Sequence, residues 1–269
     1  MEIRLPVSGK PDGSTGREAP MAGNSNTPGA TVVQRVLQVL DCFDPTHTEL
    51  TLSEIATASG LPISTARRII AQLAEWGALE RLVDNRYRVG MRLWNIGILA
   101  PQQRNIREAA LPSLYDLYTA TNETVQLVVP QGLQALCIDK VFGPKSAPTA
   151  TEVGGKLPLY ATAVGKCILA HSQQQLLQDV VAAGLERRTP YTVTQPARLV
   201  AELKQARRDG VAYSREEMTL GAVSVAAPIL GMGGILRGAV GIVARSTTRV
   251  GSLAPAVKTA ALTIARLSG

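Results

Sequence analysis

Histidine and cysteine are scarce in this chain. His47 and His171 are the only histidines in 269 residues, and the three cysteines, Cys42, Cys137 and Cys167, lie far apart with no CxxC pair. A structural zinc site needs a close set of such ligands, so no metal is expected. An odd number of scattered thiols fits a reduced, cytoplasmic setting. Long apolar runs are missing too. None is continuous enough to span a bilayer, and the N-terminus lacks the apolar stretch of a secretory signal, so no membrane association is expected.

Nucleotide motifs also fail. Before Gly165-Lys166, Tyr160 stands where a Walker A loop needs its first glycine, and Cys167 replaces the required Ser or Thr. Gly231-Met232-Gly233-Gly234 lacks the last glycine of a dinucleotide fingerprint, since Leu236 holds that place. No cofactor is called for. The two histidines make no triad with a nucleophile. Glu216-Glu217 has no partner base, so these carboxylates are expected at solvent or at a dimer face. The chain is therefore not expected to be an enzyme.

What is present suits two globular domains: 45% hydrophobic and 18% charged residues over a length that can bury two cores. The formal charge of +7 invites a nucleic-acid partner, but its distribution does not locate one. Residues 31–90 carry six Arg against seven Asp or Glu, whereas residues 91–269 carry 19 Lys or Arg against 11 acids. Local arrangement must decide.

Residues 1–29 are rich in Gly, Pro, Ser, Asn and Thr with no apolar period, which reads as a disordered tail. From Thr31 a helix is expected with Val32, Val36, Val39, Leu40 and Phe43 on one face, stopped by Pro45. Thr51-Leu52-Ser53-Glu54 is a capping box that opens a second helix. Gly60 supplies a sharp turn, and Pro62 starts a third helix with Ala66, Ile69, Ile70 and Leu73 apolar. Gly77 ends it. Leu79 to Val83 and Tyr87 to Val89 read as strands around Asp84-Asn85-Arg86. This is a helix-turn-helix with a wing, spanning 30–91. Its second helix would turn Ser64, Thr65, Arg67 and Arg68 outward, where hydroxyls and guanidinium forks suit base edges and phosphates of double-stranded operator DNA. Arg86 and Arg88 would flank the wing and reach the backbone or minor groove.

Met91 to about Leu117 reads as helical, broken or kinked at Pro101 and Pro112, with 92–110 as a linker. Residues 111–269 alternate strands and helices. Hairpins are expected at Thr124–Val129 with Leu133–Val141 and at Val223–Leu230 with Leu236–Ala244. Helices are expected at Ala163–His171, after Ser172, at Pro196–Arg208 and at Leu253–Leu267. The class is α+β with an antiparallel sheet.

Several motifs then occur in one order. Val36-Leu37-Gln38-Val39-Leu40, Glu54-Ile55-Ala56, Gly60-Leu61-Pro62, Ser64-Thr65, Arg68 and Tyr87-Arg88-Val89-Gly90 fall in the first domain. Leu157-Pro158-Leu159-Tyr160-Ala161-Thr162-Ala163-Val164-Gly165-Lys166, Gly210 to Glu217, and Gly221 to Pro228 fall in the second. With these motifs the chain resembles the IclR family of bacterial regulators. Ile63 and Arg67 depart from it, standing where a basic residue and a histidine are common. The resemblance implies a GAF-like effector-binding domain and a homodimer or dimer of dimers. It also implies repression or activation of a nearby catabolic operon in response to a small organic or aromatic acid. Carried over residue by residue, the effector site would comprise Leu157, Ala163, Val164, Ser214, Ala222, Ser224, Gly241 and Val243. The sparse polar groups among these suggest a larger or more apolar effector. The competing reading is a metabolic enzyme with an appended DNA-binding domain.

Overall fold

The computed structural model describes residues 31–99, 101–147, 149 and 151–268, so the tail expected at 1–29 lies outside the described residues. The first unit comprises α1 (Val32–Leu40), β1 (Glu49–Thr51), α2 (Leu52–Ser59), α3 (Ile63–Trp76), β2 (Leu79–Arg81) and β3 (Arg86–Val89). Two capping boxes start its helices. Thr51 Oγ1 accepts from the Glu54 N–H at 3.3 Å while the Thr51 N–H donates to Glu54 Oε2 at 2.8 Å. Thr31 and Gln34 repeat this pattern at α1. Gly60 ends α2 with φ of 66°, a conformation open to glycine without strain, and the Leu61 N–H then closes on the Ala56 carbonyl.

Val39, Leu50, Ile55, Ala66, Ile69, Ile70 and Leu79 form the core of this unit. The expected apolar face of α3 holds. α1 is shorter than expected, ending at Leu40 with Asp41 as its cap, and Phe43 lies beyond it. β1 was not expected: three residues are too few to show a period, and it pairs with a strand distant in sequence. It lies beside β3, Leu50 opposite Tyr87, in a three-stranded antiparallel sheet of order β1-β3-β2.

Gly90 closes the wing. Its N–H donates to the Ala78 carbonyl at 2.8 Å, and a Cβ there would lie 2.3 Å from the Gly77 carbonyl oxygen. Gly90→Ala is expected to destabilise this unit by about 1–3 kcal/mol, as overpacking against fixed backbone does. A urea midpoint equal to wild type would mean that the Gly77–Ala78 backbone yields freely.

The connector is two helices, α4 (Met91–Gly97) and α5 (Pro101–Thr121). Pro101 starts a helix, where its missing N–H has no partner to lose. Pro112 lies inside α5 and does not end it. The reason is tertiary: Ile106, Ala110, Leu114 and Leu117 are buried in the core of the second unit, which offsets the lost backbone bond. The expected boundary at 110–111 thus falls within one continuous helix.

The second unit adds β4 (Thr124–Gln131), β5 (Gln134–Val141), β6 (Lys156–Pro158), α6 (Ala163–His171), α7 (Gln174–Ala182), α8 (Pro196–Asp209), β7 (Ala212–Arg215), β8 (Ala222–Leu230), β9 (Leu236–Arg245) and α9 (Ala254–Leu267). The strands form one antiparallel sheet of order β6-β5-β4-β9-β8-β7. Both faces are covered. Val125, Leu127, Val225, Val240 and Ile242 pack with α5 and α9. Val128, Ala226 and Ala239 pack with Val164, Cys167, Ile168 and Leu199 of α6 and α8. Ser172 does not cap α7, since its hydroxyl donates back to the Ile168 carbonyl and Gln173 takes the cap position. α6 sits very close to the sheet. A Cβ on Gly241 would meet Val164 Cγ1 at 2.7 Å, and one on Gly165 would meet Leu159 Cα at 2.6 Å.

Candidate functional site

Two places on the molecule concentrate the residues singled out above. The first is the outer face of α3. Ala66, Ile69 and Ile70 point into the core, so helical periodicity leaves Ser64, Arg67 and Arg68 exposed and Thr65 half-buried. Among the described residues, neither Arg67 nor Arg68 has an ion pair or side-chain hydrogen bond. Two unpaired guanidinium groups on one helix face are ready for an anionic partner.

The wing arginines differ. Arg88 is paired with Glu80 at 3.0 Å across β2 and β3, and Arg86 Nη1 donates to the Glu49 carbonyl at 3.3 Å. They brace the wing. Its tip is Asp84-Asn85, where Asn85 has φ of 67°, and Arg81 Nη2 donates to Asn85 Oδ1 at 2.5 Å. Arg81 was missed in the sequence, where only its place just before the turn marked it.

The second place is a cavity on the α6 face of the sheet. Ser214, Ala222, Ser224 and Val243 line it together with Gln126, Thr149, Thr151, Thr162, Met218, Thr219 and Val223. Leu157, Ala163, Val164 and Gly241 do not line it. They are buried packing residues close by, with Val164 wedged against Gly241. Thr162 caps α6 by accepting from the Gly165 N–H at 3.1 Å. Gln126 was also missed. Its signal was the alternation of β4, which turns Val125, Leu127 and Val129 to one core and Gln126 to the other face. The cavity volume is only about 40 Å³, close to the space of one water molecule, so an organic ligand can enter only if the lining moves.

Beside it lies a larger cleft of about 570 Å³ over α8 and β7, and at its base is an ion cluster that corrects one expectation. Glu217 is neither solvated nor at a dimer face. It is buried, with both oxygens 2.6 and 2.7 Å from Lys166 Nζ, which also donates to Glu202 at 2.6 Å. Burial pushes the Glu217 carboxyl above its ordinary range, with Lys166 opposing. Glu217 belongs to the segment that brings Met218 and Thr219 to the smaller cavity. Burial also pushes the Cys137 and Cys167 thiols up to about 12, so neither supplies a thiolate at neutral pH. Among the described residues no group of His, Cys, Asp and Glu is placed to hold a metal, and no helix is long and apolar enough to cross a membrane.

Comparison with known proteins agrees with this layout. The profile described as "IclR helix-turn-helix domain" matches residues 32–82, and that described as "Bacterial transcriptional regulator IclR C-terminal" matches residues 99–266. The chain belongs to the IclR family. IclR-family members are transcriptional regulators, and the α3 face and the sheet cavity fall one in each matched region. The HTH-type transcriptional regulator XynR of Escherichia coli K12 is 32% identical over 200 residues, covering 73% of this chain and 79% of that protein. The transcriptional repressor IclR of the same organism is 28% identical over 218 residues, covering 80% of each. Among solved structures, an IclR homologue from Microbacterium hydrocarbonoxydans complexed with 4-hydroxybenzoate superposes with a TM-score of 0.84 at 28% identity, over 88% of this chain and 99% of that one. The Thermotoga maritima IclR gives 0.71 at 31% identity, over 88% and 98%.

Proposed function

We propose that this IclR-family regulator reads operator DNA with Ser64, Thr65, Arg67 and Arg68 of α3, and that a small organic or aromatic acid in the sheet cavity controls that binding. The observation that carries the reading is the pair of unpartnered arginines on the outer face of a capped, glycine-turned helix. Arg86 and Arg88 hold the wing and lie where it would pass the phosphate backbone. The operator would belong to a nearby catabolic operon that the regulator represses, in the cytoplasm where the DNA lies.

The cavity is read as a sensor without turnover, because none of the described residues that line it is ionisable and able to move a proton. Ser224 offers a hydroxyl donor to a carboxylate. The relative bound to 4-hydroxybenzoate supports an acid of that general class. The reading makes the protein a homodimer or dimer of dimers, and an apolar surface supports it: Trp94 and Leu99 of the connector are 57% and 67% exposed, and Val32, Val33 and Leu37 of α1 are exposed as well.

Ser224→Leu fills the cavity without touching α3. It is expected to leave operator affinity unchanged in a gel-shift titration and to abolish release by acids. A variant still released like wild type would place the effector elsewhere, and one that lost DNA binding would deny that the two functions separate.

A further inference from the structure

We infer that Gln126 hydrogen-bonds the effector and selects acids that carry a second polar group, a hydroxyl or an amine, away from the carboxylate. This rests on the effector reading of the same cavity.

Gln126 is 3% exposed, lines the cavity, and its Oε1 has no hydrogen-bond partner among the described residues. A buried amide atom without a partner is rare, because losing water without replacement is unfavourable. The neighbours on its strand face need nothing more: Thr124 donates to the Ala147 carbonyl at 3.2 Å and Val128 is packed in the core. The residues opposite Gln126 cannot serve it. Gly241 on β9 has no side chain, and Lys140 on β5 is engaged by the Thr151 carbonyl at 2.6 Å and by Glu152.

The cavity's other polar groups divide into spent and free. Thr162 donates to the Pro158 carbonyl at 3.0 Å, and Ser214 donates to the Ala161 carbonyl at 3.0 Å. Ser224 makes no such bond among the described residues. Ser224 and Gln126 lie on β8 and β4 with β9 between them, two strand spacings across and two residues along, roughly 12 Å apart at the backbone. A small bifunctional acid can bridge that gap. The chemistry then assigns the ends. A carboxylate only accepts, so it suits the free Ser224 hydroxyl. An amide presents a donor and an acceptor together, and a hydroxyl or amine complements both. A second carboxylate, or a bare ring edge, would leave Oε1 unpaired.

The test is calorimetry on the full chain with matched acids: benzoate against 3- and 4-hydroxybenzoate and 4-aminobenzoate, and propanoate against lactate. At least one substituted acid should bind wild type about tenfold more tightly than its unsubstituted partner, the worth of one buried hydrogen bond. In Gln126→Met, shown folded by an intact thermal transition, that ratio should collapse towards unity while the unsubstituted acid binds as before. Equal affinities within every pair on wild type, or a ratio unchanged in Gln126→Met, would overturn this inference and leave the effector reading standing. If no acid of the set binds or releases DNA, both fall.

Discussion

Lys166→Met should destabilise the second unit by about 3–5 kcal/mol, the cost of leaving a buried charge without its partner. Lys166 Nζ holds Glu217 and Glu202 at 2.6 Å each and reaches the Tyr213 carbonyl at 3.4 Å. Glu202 can turn to water or keep Arg198, 3.3 Å away, but Glu217 is buried and has no second cation among the described residues. Without Lys166 its carboxyl keeps only the Arg215 N–H at 3.3 Å and must ionise without a counter-charge or take a proton. The pH dependence follows in sign. Glu217 already titrates above its ordinary value through burial, and removing Lys166 raises it further. A carboxyl raised in the folded state favours folding below its unfolded pKa, and that support is lost as pH rises through the folded pKa. The penalty of Lys166→Met should therefore be largest at pH 8 and shrink towards pH 5. Urea midpoints at the two pH values measure it, and Lys166→Met with Glu217→Gln should recover most of the loss. A single variant as stable as wild type at pH 8 would show that the triad contributes nothing.

The second large effect is on DNA. Arg67→Ala and Arg68→Ala should each weaken operator binding by about 1–3 kcal/mol where the arginine reads a base edge, and the double variant should lose more than either. An arginine that only neutralises a phosphate would instead weaken all sequences alike and lower the salt slope by about 1. Arg86→Ala and Arg88→Ala should cost less affinity than the α3 variants, because their side chains are held by the Glu49 carbonyl and Glu80. Gel-shift titrations at two salt concentrations separate these cases. Wing variants weaker than α3 variants would relocate the reading surface.

How much of this was legible in the sequence depends on how far apart the interacting residues lie. The Thr51–Glu54 capping box, the Gly60 turn and the apolar face of α3 are local, and each appears in the structure as expected. So are the two large hairpins. β1 escaped because its three residues mean something only beside Tyr87. Glu217 was misplaced for the same reason: its partner lies 51 residues earlier, and nothing next to it in the chain announces a buried lysine. Pro112 looked like a helix breaker because the packing that keeps α5 continuous comes from strands and α9 further along. Half of the carried-over effector positions line the cavity. The others are packing residues, since similarity of sequence marks a neighbourhood more finely than it marks which side chains point into it. The unpartnered oxygen of Gln126 shows only once three strands are in register.

Footprinting tests directly whether α3 reads DNA while the sheet cavity governs it. Wild type, Arg67→Ala/Arg68→Ala and Ser224→Leu would each be titrated on the DNA flanking the regulator's gene, with and without the acid that binds wild type most tightly. Wild type and Ser224→Leu should protect a defined site, the double arginine variant should protect none, and the acid should release wild type alone. Protection that survives loss of both arginines, or release that survives filling of the cavity, would contradict this.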